Sequence, residues 1–470
     1  MADLVPADLP PAHARGRPRE VLVLAWPVIV SVLSLTVMNA ADTYFAGRLG
    51  TAEQAAVGFC GTILWTVYSF FLGTLDIIQT FVAQHVGAGD PKRAWRYGVA
   101  GLHAGLAFSF FMIPMALAGR WPYVWLGVAP EIIAPAATYS VIRFAGSAPY
   151  FLSRGAEGYF RGVGDTFTPM VIAVVANVVN VALAWLAVTG CKPLGIPSLG
   201  VAGLGYATVI ATCVQLAGFG IASRRRRSRG DFAPRLRDRS RREDLRDLLR
   251  LGAPAGVAWL LDIAAWSLFT IEVARVEASQ AAANVIAITL LRASFMPGFA
   301  IGTAAQTLVG RYLGAGDVRS AARSGWTSVA LAGSYMGVLG LVFFLFGGDL
   351  FGLFTADANV REHGAHLMRW AAVFQIGDAF QVVLGGALRG AGDTRFVAVV
   401  VFSAAWGVFA PLAWWLVSVR GMGVEGGWMA CTIWVAALAT PLALRFRGNA
   451  WRKTLVQPEE PRLHPETEVA

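Results

Sequence analysis

The sequence predicts an all-α polytopic membrane protein with twelve transmembrane helices in two six-helix bundles. Three observations support this prediction. Of the 470 residues, 56% are hydrophobic and only 14% are charged, which is more apolar surface than a soluble chain of this size can bury. Apolar runs of about 20 residues, the length that crosses a hydrocarbon core, recur along the whole chain. The two halves of the chain also share an internal repeat.

Twelve apolar runs define the predicted spans. The first six lie at 21–46, 56–84, 97–118, 133–158, 169–190 and 200–223, and the second six at 251–274, 281–312, 325–347, 364–388, 397–418 and 423–444. The second and eighth runs are longer than a bilayer needs, so we expect these helices to tilt or to protrude. Prolines inside spans, such as Pro27 and Pro254, predict kinks because proline removes a backbone hydrogen bond.

The repeat is clearest in the segment 79–90, QTFVAQHVGAGD, which returns at 306–317 as QTLVGRYLGAGD. Because each half has an even number of spans, both halves begin on the same side of the membrane. The halves are therefore predicted to be related by a pseudo-twofold axis along the membrane normal, with a pathway between them, as in many secondary transporters.

The repeat divides the chain into five predicted parts. The first six spans form a lobe at 20–223, and the last six form a lobe at 251–446. A basic cytoplasmic linker, 224–250, joins the lobes. Residues 1–19 are Pro-rich and predicted to be a disordered cytoplasmic N-terminus, and 447–470 form a polar cytoplasmic tail.

Basic residues concentrate on one predicted side of the membrane. The segment 224–250 alone holds twelve arginines against five acids, whereas the loops on the opposite side are short and nearly neutral. This asymmetry predicts that both termini are cytoplasmic in a multi-pass protein of the inner (plasma) membrane. Topology thus explains the net charge of +10, and no nucleic-acid partner is predicted.

No pattern in the sequence indicates an enzyme, a cofactor or a metal site. Cys60, Cys191, Cys213 and Cys431 share no ligand or pairing spacing, and we expect small core residues. The Gly-x-Gly-Asp string of intramembrane aspartyl proteases occurs four times, but every copy lies at a cytoplasmic helix end beside a basic residue. We interpret these copies as glycine helix stops followed by a turn or an N-cap. They begin at 87, 162, 314 and 390.

Polar side chains deep in the predicted spans are the candidate functional residues, because a charge at the bilayer centre costs about 2.5–3.5 kcal/mol. Asp42 lies toward the outer end of the first span, and Asn180 lies midway through the fifth, where it can hydrogen-bond such a carboxyl group. Asn39 and Asn177 on the same two spans are candidate cavity residues. Burial favours a neutral carboxyl group, so Asp42 is suited to proton exchange. The alternative is that Asp42 caps a helix break at Gly47–Gly50.

Two further acids, Asp262 in the seventh span and Asp378 in the tenth, lie near the predicted midplane of the second lobe. Such a pair is suited to bind Na⁺, a proton or an organic cation. Arg292 of the eighth span lies at a similar depth and would neutralise part of this site if it reached either acid. Asp76, whose repeat partner is Thr303, either lines the pathway or pairs with a basic residue at the cytoplasmic rim.

The combined motifs resemble the multidrug and toxic compound extrusion (MATE) family over residues 20–446. In the first half they are Pro27, Asp42-Thr43, Phe45, Gly47–Gly50, Val82–Gln84, Gly87–Asp90, Arg161-Gly162, Gly164–Thr166 and Pro169. In the second half they are Pro254, Asp262, Gln375, Asp378, Gln381, Leu388–Gly390 and Asp393-Thr394. The resemblance implies twelve helices in two bundles that form a V. It also implies export of amphipathic, often cationic compounds in exchange for Na⁺ or H⁺.

The resemblance assigns roles residue by residue. Asp42 corresponds to the first-helix acid that is protonated or ion-bound during transport, and Asn180 to the fifth-helix asparagine of the same polar site. Asp262 corresponds to a seventh-helix acid that is glutamate in the sodium-coupled branch. Asp378 corresponds to the tenth-helix aspartate of that branch. The second-lobe acids indicate the bacterial multidrug branch.

Departures from the family pattern leave the coupling ion open. Ala184 stands where one branch carries an aspartate four residues after the fifth-helix asparagine. Phe295 and Phe374 stand where some sodium-coupled members carry tyrosine. We include both phenylalanines, with Asp76 and Arg292, among the candidate substrate-cavity residues.

We therefore predict a secondary active antiporter, without a resident cofactor, that acts as a monomer by alternating access. Its predicted partners are small organic cations or drugs and the lipid bilayer. The rival hypothesis is a flippase for lipids or lipid-linked oligosaccharides of a related superfamily. A flippase for anionic headgroups needs arginines along its cleft, and Arg143, Arg292 and Arg369 are the candidates.

Overall fold

The computed structural model describes residues 15–190, 198–273 and 275–452. Most of the predicted disordered N-terminus, most of the predicted tail, and Cys191 lie outside the described residues. Twelve spans follow one another in the described chain. The first lobe contains α1 (Pro18–Leu49), α2 (Thr51–Gly87), α3 (Pro91–Ala118), α4 (Pro130–Ala145 and Ala148–Gly162), α5 (Phe167–Thr189) and α6 (Gly200–Ser228). The second lobe contains α7 (Arg242–Val273), α8 (Ala278–Gly314), α9 (Val318–Gly352), α10 (Ala358–Gly390), α11 (Thr394–Val419) and α12 (Gly423–Arg447).

Eleven of these spans are each long and apolar enough to cross a membrane. The twelfth, α4, breaks between its two segments at Gly146-Ser147. Pro149 follows the break at once, and proline lacks the N–H that would continue the hydrogen-bond ladder. The predicted all-helical fold in two lobes is confirmed. As expected from their length, α2 and α8 have 37 residues each, about 55 Å of helix.

Helices extend into the predicted basic linker from both sides. The α6 helix runs to Ser228, and Arg225–Arg227 lie in its last turn, where positive charge stabilises a helix. The α7 helix begins at Arg242, and Glu243 and Asp244 lie in its first turn, where negative charge does the same. The irregular part of the linker therefore spans only 229–241.

Each lobe has its own hydrophobic core, but the first helix of each lobe begins in the other one. Val21 and Ala25 near the start of α1 are fully buried in the core of the second lobe. Leu248 near the start of α7 is fully buried in the core of the first lobe. Val21 and Leu248 are repeat partners, so the crossing obeys the internal symmetry. We call the side of the molecule that holds these crossings and the 229–241 loop the linker side.

Glycines bring the two lobes into backbone contact on the linker side. A Cβ atom on Gly87 would lie 1.9 Å from the carbonyl oxygen of Arg311, and one on Gly314 would lie 1.9 Å from that of Gln84. Gly87 and Gly314 are repeat partners at the ends of α2 and α8. A Cβ atom on Gly256 of α7 would lie 2.3 Å from the carbonyl oxygen of Phe70. No side chain fits at these crossings, and small residues permit such close helix approach. We call the contact of α2 with the second-lobe helices α7, α8 and α10 the seam.

The four Gly-x-Gly-Asp copies end helices as predicted. Their second glycines all have a positive φ, between +73° and +87°, which glycine adopts at low cost. Asp90, Asp165 and Asp317 each accept a backbone N–H from the first turn of the following helix. Asp393 makes no such cap, and its carboxylate instead accepts from Arg445 Nε at 2.7 Å.

Cysteine placement corrects one expectation. Cys60 and Cys431 are buried, but Cys213 is exposed rather than part of the core. It shares an exposed face of α6 with Tyr206 and Ile210. An apolar residue on the membrane-facing side of a span has no core to enter, because lipid covers it instead.

Candidate functional site

Three polar side chains of the first lobe form one buried cluster. Asp42 on α1, Asn180 on α5 and Thr208 on α6 are 4%, 0% and 1% exposed. Thr208 Oγ1 lies 3.3 Å from Asp42 Oδ2 and accepts from Asn180 Nδ2 at 3.3 Å. The structure thus brings Asp42 and Asn180 to one site, with the hydroxyl group of Thr208 between them.

The cluster is short of hydrogen-bond donors. Asp42 Oδ1 and Asn180 Oδ1 are buried without a hydrogen-bond partner among the described residues, which is uncommon in folded proteins. Arg143 of α4 is close enough to act electrostatically on Asp42, but its guanidinium donates to Tyr139 Oη at 2.7 Å. A proton on the carboxyl group or a bound cation would satisfy the free oxygen of Asp42.

A small cavity adjoins this cluster. Thr208 and Arg143 both line it, and its volume is about 10 Å³, enough for the centre of about one water molecule. The α1 helix continues without a break through Asp42 to Leu49, so the carboxyl group does not cap a helix interruption at Gly47–Gly50. The carboxyl group of Asp42 therefore belongs to the buried polar cluster with Asn180 and Thr208.

The two candidate asparagines of this region lie apart from the cluster. Asn177 Nδ2 donates to Ser34 Oγ and so ties α5 to α1. Asn39 lies one helical turn before Asp42 and is exposed. Asn39 is therefore exposed on α1, whereas Asn177 is engaged in helix packing.

In the second lobe the two predicted acids lie within electrostatic range of each other. Asp378 of α10 is 3% exposed, and the half-buried Asp262 of α7 is close enough to repel it electrostatically. Gln381 Nε2 donates to Asp378 Oδ1 at 3.4 Å, while Asp378 Oδ2 is buried without a partner. Within the described chain, no basic side chain forms an ion pair with either acid.

Arg292 does not neutralise this pair, because its side chain is exposed and makes no ion pair with the described residues. Its position on α8 follows from helix periodicity. Thr303 and Thr307 touch the first lobe at the seam, since Gln79 Nε2 donates to Thr303 O at 2.9 Å and Thr307 Oγ1 at 2.8 Å. Residues at spacings of three and four lie on one face, so Phe299 and Arg292 continue the same stripe beyond the seam. Arg292 therefore faces the space between the lobes.

The two candidate phenylalanines differ in accessibility. Phe295 is half-buried, and its ring centroid lies 6.0 Å from that of Phe299. Phe374 is only 3% exposed and belongs to the core of the second lobe. In this conformation Phe295 lies beside the stripe that faces the other lobe, whereas Phe374 supports α10 from within.

Asp76 lies in the seam, where it meets the second lobe. Its Oδ2 atom is 3.5 Å from Arg389 Nε and accepts from Gln306 Nε2 at 3.2 Å. Thr80, one turn further along α2, donates to the carbonyl oxygen of Arg389 at 3.0 Å. This arrangement corresponds to pairing with a basic residue at the linker side, the second of the two alternatives for Asp76.

A buried ionic triad lies behind the seam on α4. Glu157, 6% exposed, receives Arg154 Nη1 at 2.6 Å and also contacts Arg161. The carbonyl oxygen of Arg161 accepts from Thr307 Oγ1 at 3.2 Å. This buried carboxylate therefore lies next to the other lobe, held by two arginines of its own helix.

Several of these residues were missed from sequence. Gln79 and Gln306 are repeat partners that both bond across the seam, and the recurrence of an amide at one register of an apolar span was an available signal. Thr208 gave no such signal, because threonine hydroxyl groups in spans commonly bond to their own helix, as Thr208 also does with Leu204 O at 3.1 Å.

Comparison with known proteins agrees with this architecture. The family model described as MatE matches residues 27–186 and 254–415, one segment in each lobe. A probable multidrug resistance protein NorM of Bradyrhizobium diazoefficiens is 31% identical, covering 95% of this chain and 96% of that protein. The multidrug resistance protein PmpM of Pseudomonas aeruginosa is 27% identical, covering 93% of both chains.

Solved structures show the same fold. A multidrug resistance MATE family transporter of the MOP superfamily, in an outward-facing conformation, superposes with a TM-score of 0.83 at 21% identity, covering 94% of this chain and 98% of that one. The eukaryotic MATE transporter AtDTX14 gives a TM-score of 0.83 at 18% identity, covering 92% and 96%. The matched segments exceed half of the sequence and follow its internal repeat, so this multi-pass membrane protein belongs to the MatE family, as its motifs predicted.

Proposed function

We propose that this protein is a multidrug efflux antiporter that exports amphipathic, mostly cationic compounds in exchange for H⁺ or Na⁺. The observation that supports this proposal best is that each lobe of a MatE-family fold holds a buried carboxyl group, Asp42 or Asp378, that forms no ion pair with the described residues. The relatives named as multidrug resistance proteins match nearly the whole chain, which supports drugs as the substrates.

The second-lobe acids are the stronger candidate for coupling. Two carboxylates within electrostatic range at membrane depth, with no ion-pair partner among the described residues, are costly when both are ionised. A proton or a cation relieves that cost, so occupancy of Asp262 and Asp378 is expected to follow the ion gradient. Asp42 and Asn180, bridged by Thr208, form a second polar site of the same character in the first lobe.

Alternating access would act through the seam. The inter-lobe bonds of Asp76, Gln79 and Gln306 are polar and reversible, so the lobes can separate on the linker side and close on the other side. Ion and drug shift such an equilibrium only if they bind the two states unequally. The positive-inside rule supports a cytoplasmic linker side, and with that orientation this conformation would be closed toward the cytoplasm of an inner-membrane protein.

Two exposed arginines favour a lipid flippase as the second candidate function. Arg292 and Arg369 are exposed without ion-pair partners in the described chain, and Arg292 faces the other lobe. An anionic headgroup would find a partner in Arg292, whereas a cationic drug would be repelled by it. The acids Asp262 and Asp378, which form no ion pair with the described residues, favour the exporter.

Purified protein in vesicles tests export and the coupling ion together. We would load vesicles with a cationic dye and impose first a pH gradient and then a Na⁺ gradient. The proposal expects dye movement driven by at least one gradient and abolished when that gradient is dissipated. Gradient-independent movement of a labelled anionic lipid, with no dye transport, would instead support the flippase.

A further inference from the structure

A cavity of about 680 Å³ opens between the lobes on the linker side, well apart from the candidate coupling acids. Its walls come from α2 and α3 of the first lobe, the start of α7, and the turn that begins α11 in the second lobe. A ligand in this cavity would touch both lobes at once. The chemistry of its walls shows which ligand it suits.

His85 supplies a buried polar group without a partner. It is 4% exposed and lines the cavity, and its Nδ1 atom has no hydrogen-bond partner among the described residues. Its ring stacks on Tyr97 with centroids 5.2 Å apart and planes 17° from parallel. The ring is therefore held in place by packing while its hydrogen-bonding capacity remains free, and buried polar groups normally have a partner.

The start of α11 supplies free backbone donors. Three of the four Gly-x-Gly-Asp aspartates cap the next helix, but Asp393 does not, and the cavity is lined by Gly392, Asp393 and Arg395. The first N–H groups of a helix lack partners within the helix and lie at the positive end of its dipole. An uncapped helix start that opens into a cavity suits an anion, phosphate in particular.

Two arginines complete the positive wall. Arg250 and Arg395 line the cavity, and their side chains make no hydrogen bond or ion pair with the described residues. Two of the four acids in the same wall are already bonded to arginines. Asp244 accepts from Arg96 Nε at 3.0 Å, and Asp393 accepts from Arg445 Nε at 2.7 Å.

Two acids limit the strength of such a site. Asp247 accepts from the hydroxyl group of Tyr97 at 3.3 Å, and Glu243 is exposed. Both line the cavity. We therefore expect an anion to bind with modest affinity, and this affinity should depend more on individual hydrogen-bond donors than on the net charge of the cavity.

The internal repeat shows what occupies the corresponding place in the other lobe. The repeat partner of His85 is Tyr312, whose hydroxyl group donates to Glu20 Oε1 at 2.6 Å. The chain also covers that region itself, because Thr327 Oγ1 donates to Gly16 O at 2.8 Å. In the second lobe a carboxylate oxygen of Glu20 hydrogen-bonds Tyr312. In the first lobe the Nδ1 atom of His85, at the corresponding position, has no hydrogen-bond partner among the described residues.

We propose that this cavity binds a phosphate group, either of a soluble phosphomonoester or of a lipid headgroup. The uncapped start of α11, Arg395, Arg250 and His85 provide the donors. Because the bound group touches α2 and α11, occupancy holds the two lobes together on the linker side. The proposal concerns regulation and does not depend on which ion or substrate the protein transports.

Thermal unfolding of the full-length purified protein tests this site, with inorganic phosphate or glycerol phosphate as the probe at constant ionic strength. Arg395→Gln removes one charged donor, and His85→Phe keeps the stacking on Tyr97 while removing the ring nitrogens. The matched control is Arg319→Gln, since Arg319 is exposed and is likewise the second residue of its helix, α9, whose start is capped by Asp317.

We expect phosphate to raise the Tm of the wild type and of Arg319→Gln alike, and the half-effective concentration to increase about tenfold in Arg395→Gln and His85→Phe. Phosphate also stabilises proteins generally by exclusion from their surface, so the informative quantity is the difference between variants at equal phosphate. Equal responses of all four proteins to soluble phosphates would remove the free-phosphate form of the proposal.

The lipid arm uses nanodiscs of phosphatidylcholine with or without phosphatidic acid. A rise in Tm with phosphatidic acid that is lost in Arg395→Gln, together with no response to soluble phosphate, would identify a lipid headgroup as the source. If neither arm separates Arg395→Gln and His85→Phe from Arg319→Gln, the proposal is overturned. The unfolding curve of each variant without ligand shows that it is folded.

Discussion

Asp76 of the first lobe and Arg389 of the second form an ion pair across the seam, with Asp76 Oδ2 3.5 Å from Arg389 Nε. The same carboxylate accepts from Gln306 of the second lobe. A single first-lobe side chain therefore holds two second-lobe helices, α8 and α10. Such polar contacts make the joined state specific, and they can be broken and re-formed during a transport cycle.

Removing this charge should loosen the joined state. Asp76→Asn loses the ion pair with Arg389, so we expect a larger fraction of molecules with separated lobes on the linker side. Spin labels on cysteines at Lys92 and Arg319, two exposed repeat partners in different lobes, would report a longer-distance population in a Cys213→Ser background. Glu131→Gln, at an exposed acid outside the seam, should leave the distances unchanged. An unaltered distribution in Asp76→Asn would show that the ion pair is not part of the lock.

The seam glycines should tolerate no side chain. Gly314→Ala places a Cβ atom 1.9 Å from the carbonyl oxygen of Gln84, and overpacking of this kind costs about 1–3 kcal/mol or more. Gly337 on α9 has no neighbour within 4 Å of the same position, so Gly337→Ala is the matched control and should be neutral or slightly stabilising. Thermal unfolding checks both variants, and equal Tm values would contradict the close helix contact.

Thr208 should matter for transport although it carries no charge. Thr208→Val keeps the volume but removes the hydroxyl group between Asp42 and Asn180. One hydrogen bond of about 1 kcal/mol corresponds to about a fivefold lower efflux rate, with an altered pH profile. Thr208→Ser should restore both, because it restores the hydroxyl group. Thr270→Val is the control, since that hydroxyl group is exposed and bonds to its own helix. A normal rate and pH profile in Thr208→Val would exclude the bridging role.

The spans, the repeat and the lobe architecture were predictable because apolar runs and duplicated motifs can be recognised directly in the sequence. The helix stops were predictable for a similar local reason, since Gly89 and its equivalents need a positive φ. The crossing of Val21 and Leu248 into opposite cores was not predictable. Apolar periodicity shows that a side chain is covered, but it does not show which helix covers it.

The candidate acids were predictable because charge is costly in a span, whereas their partners were not. Sequence depth places Arg292 level with Asp262 and Asp378, but rotation about the α8 axis turns it away from both. Thr208 lies on a third helix, far in sequence from Asp42 and Asn180, and only the packing of α1, α5 and α6 brings the three together. The depth of a residue in its span can be read from the local sequence, whereas the helix that its side chain faces depends on tertiary packing.

Efflux of a cationic dye from vesicles of reconstituted protein, under an imposed pH gradient and then a Na⁺ gradient, tests the role of the buried acids. Asp42→Asn, Asp262→Asn and Asp378→Asn each remove one ionisable group and keep its size. The exposed Asp349→Asn is the control for an acid outside these sites. We predict that each of the three variants inserts normally, but that its gradient-driven efflux rate falls at least about tenfold. A tenfold change corresponds to about 1.4 kcal/mol. Asp349→Asn should retain the wild-type rate. Wild-type efflux from all three variants would contradict carboxylate coupling.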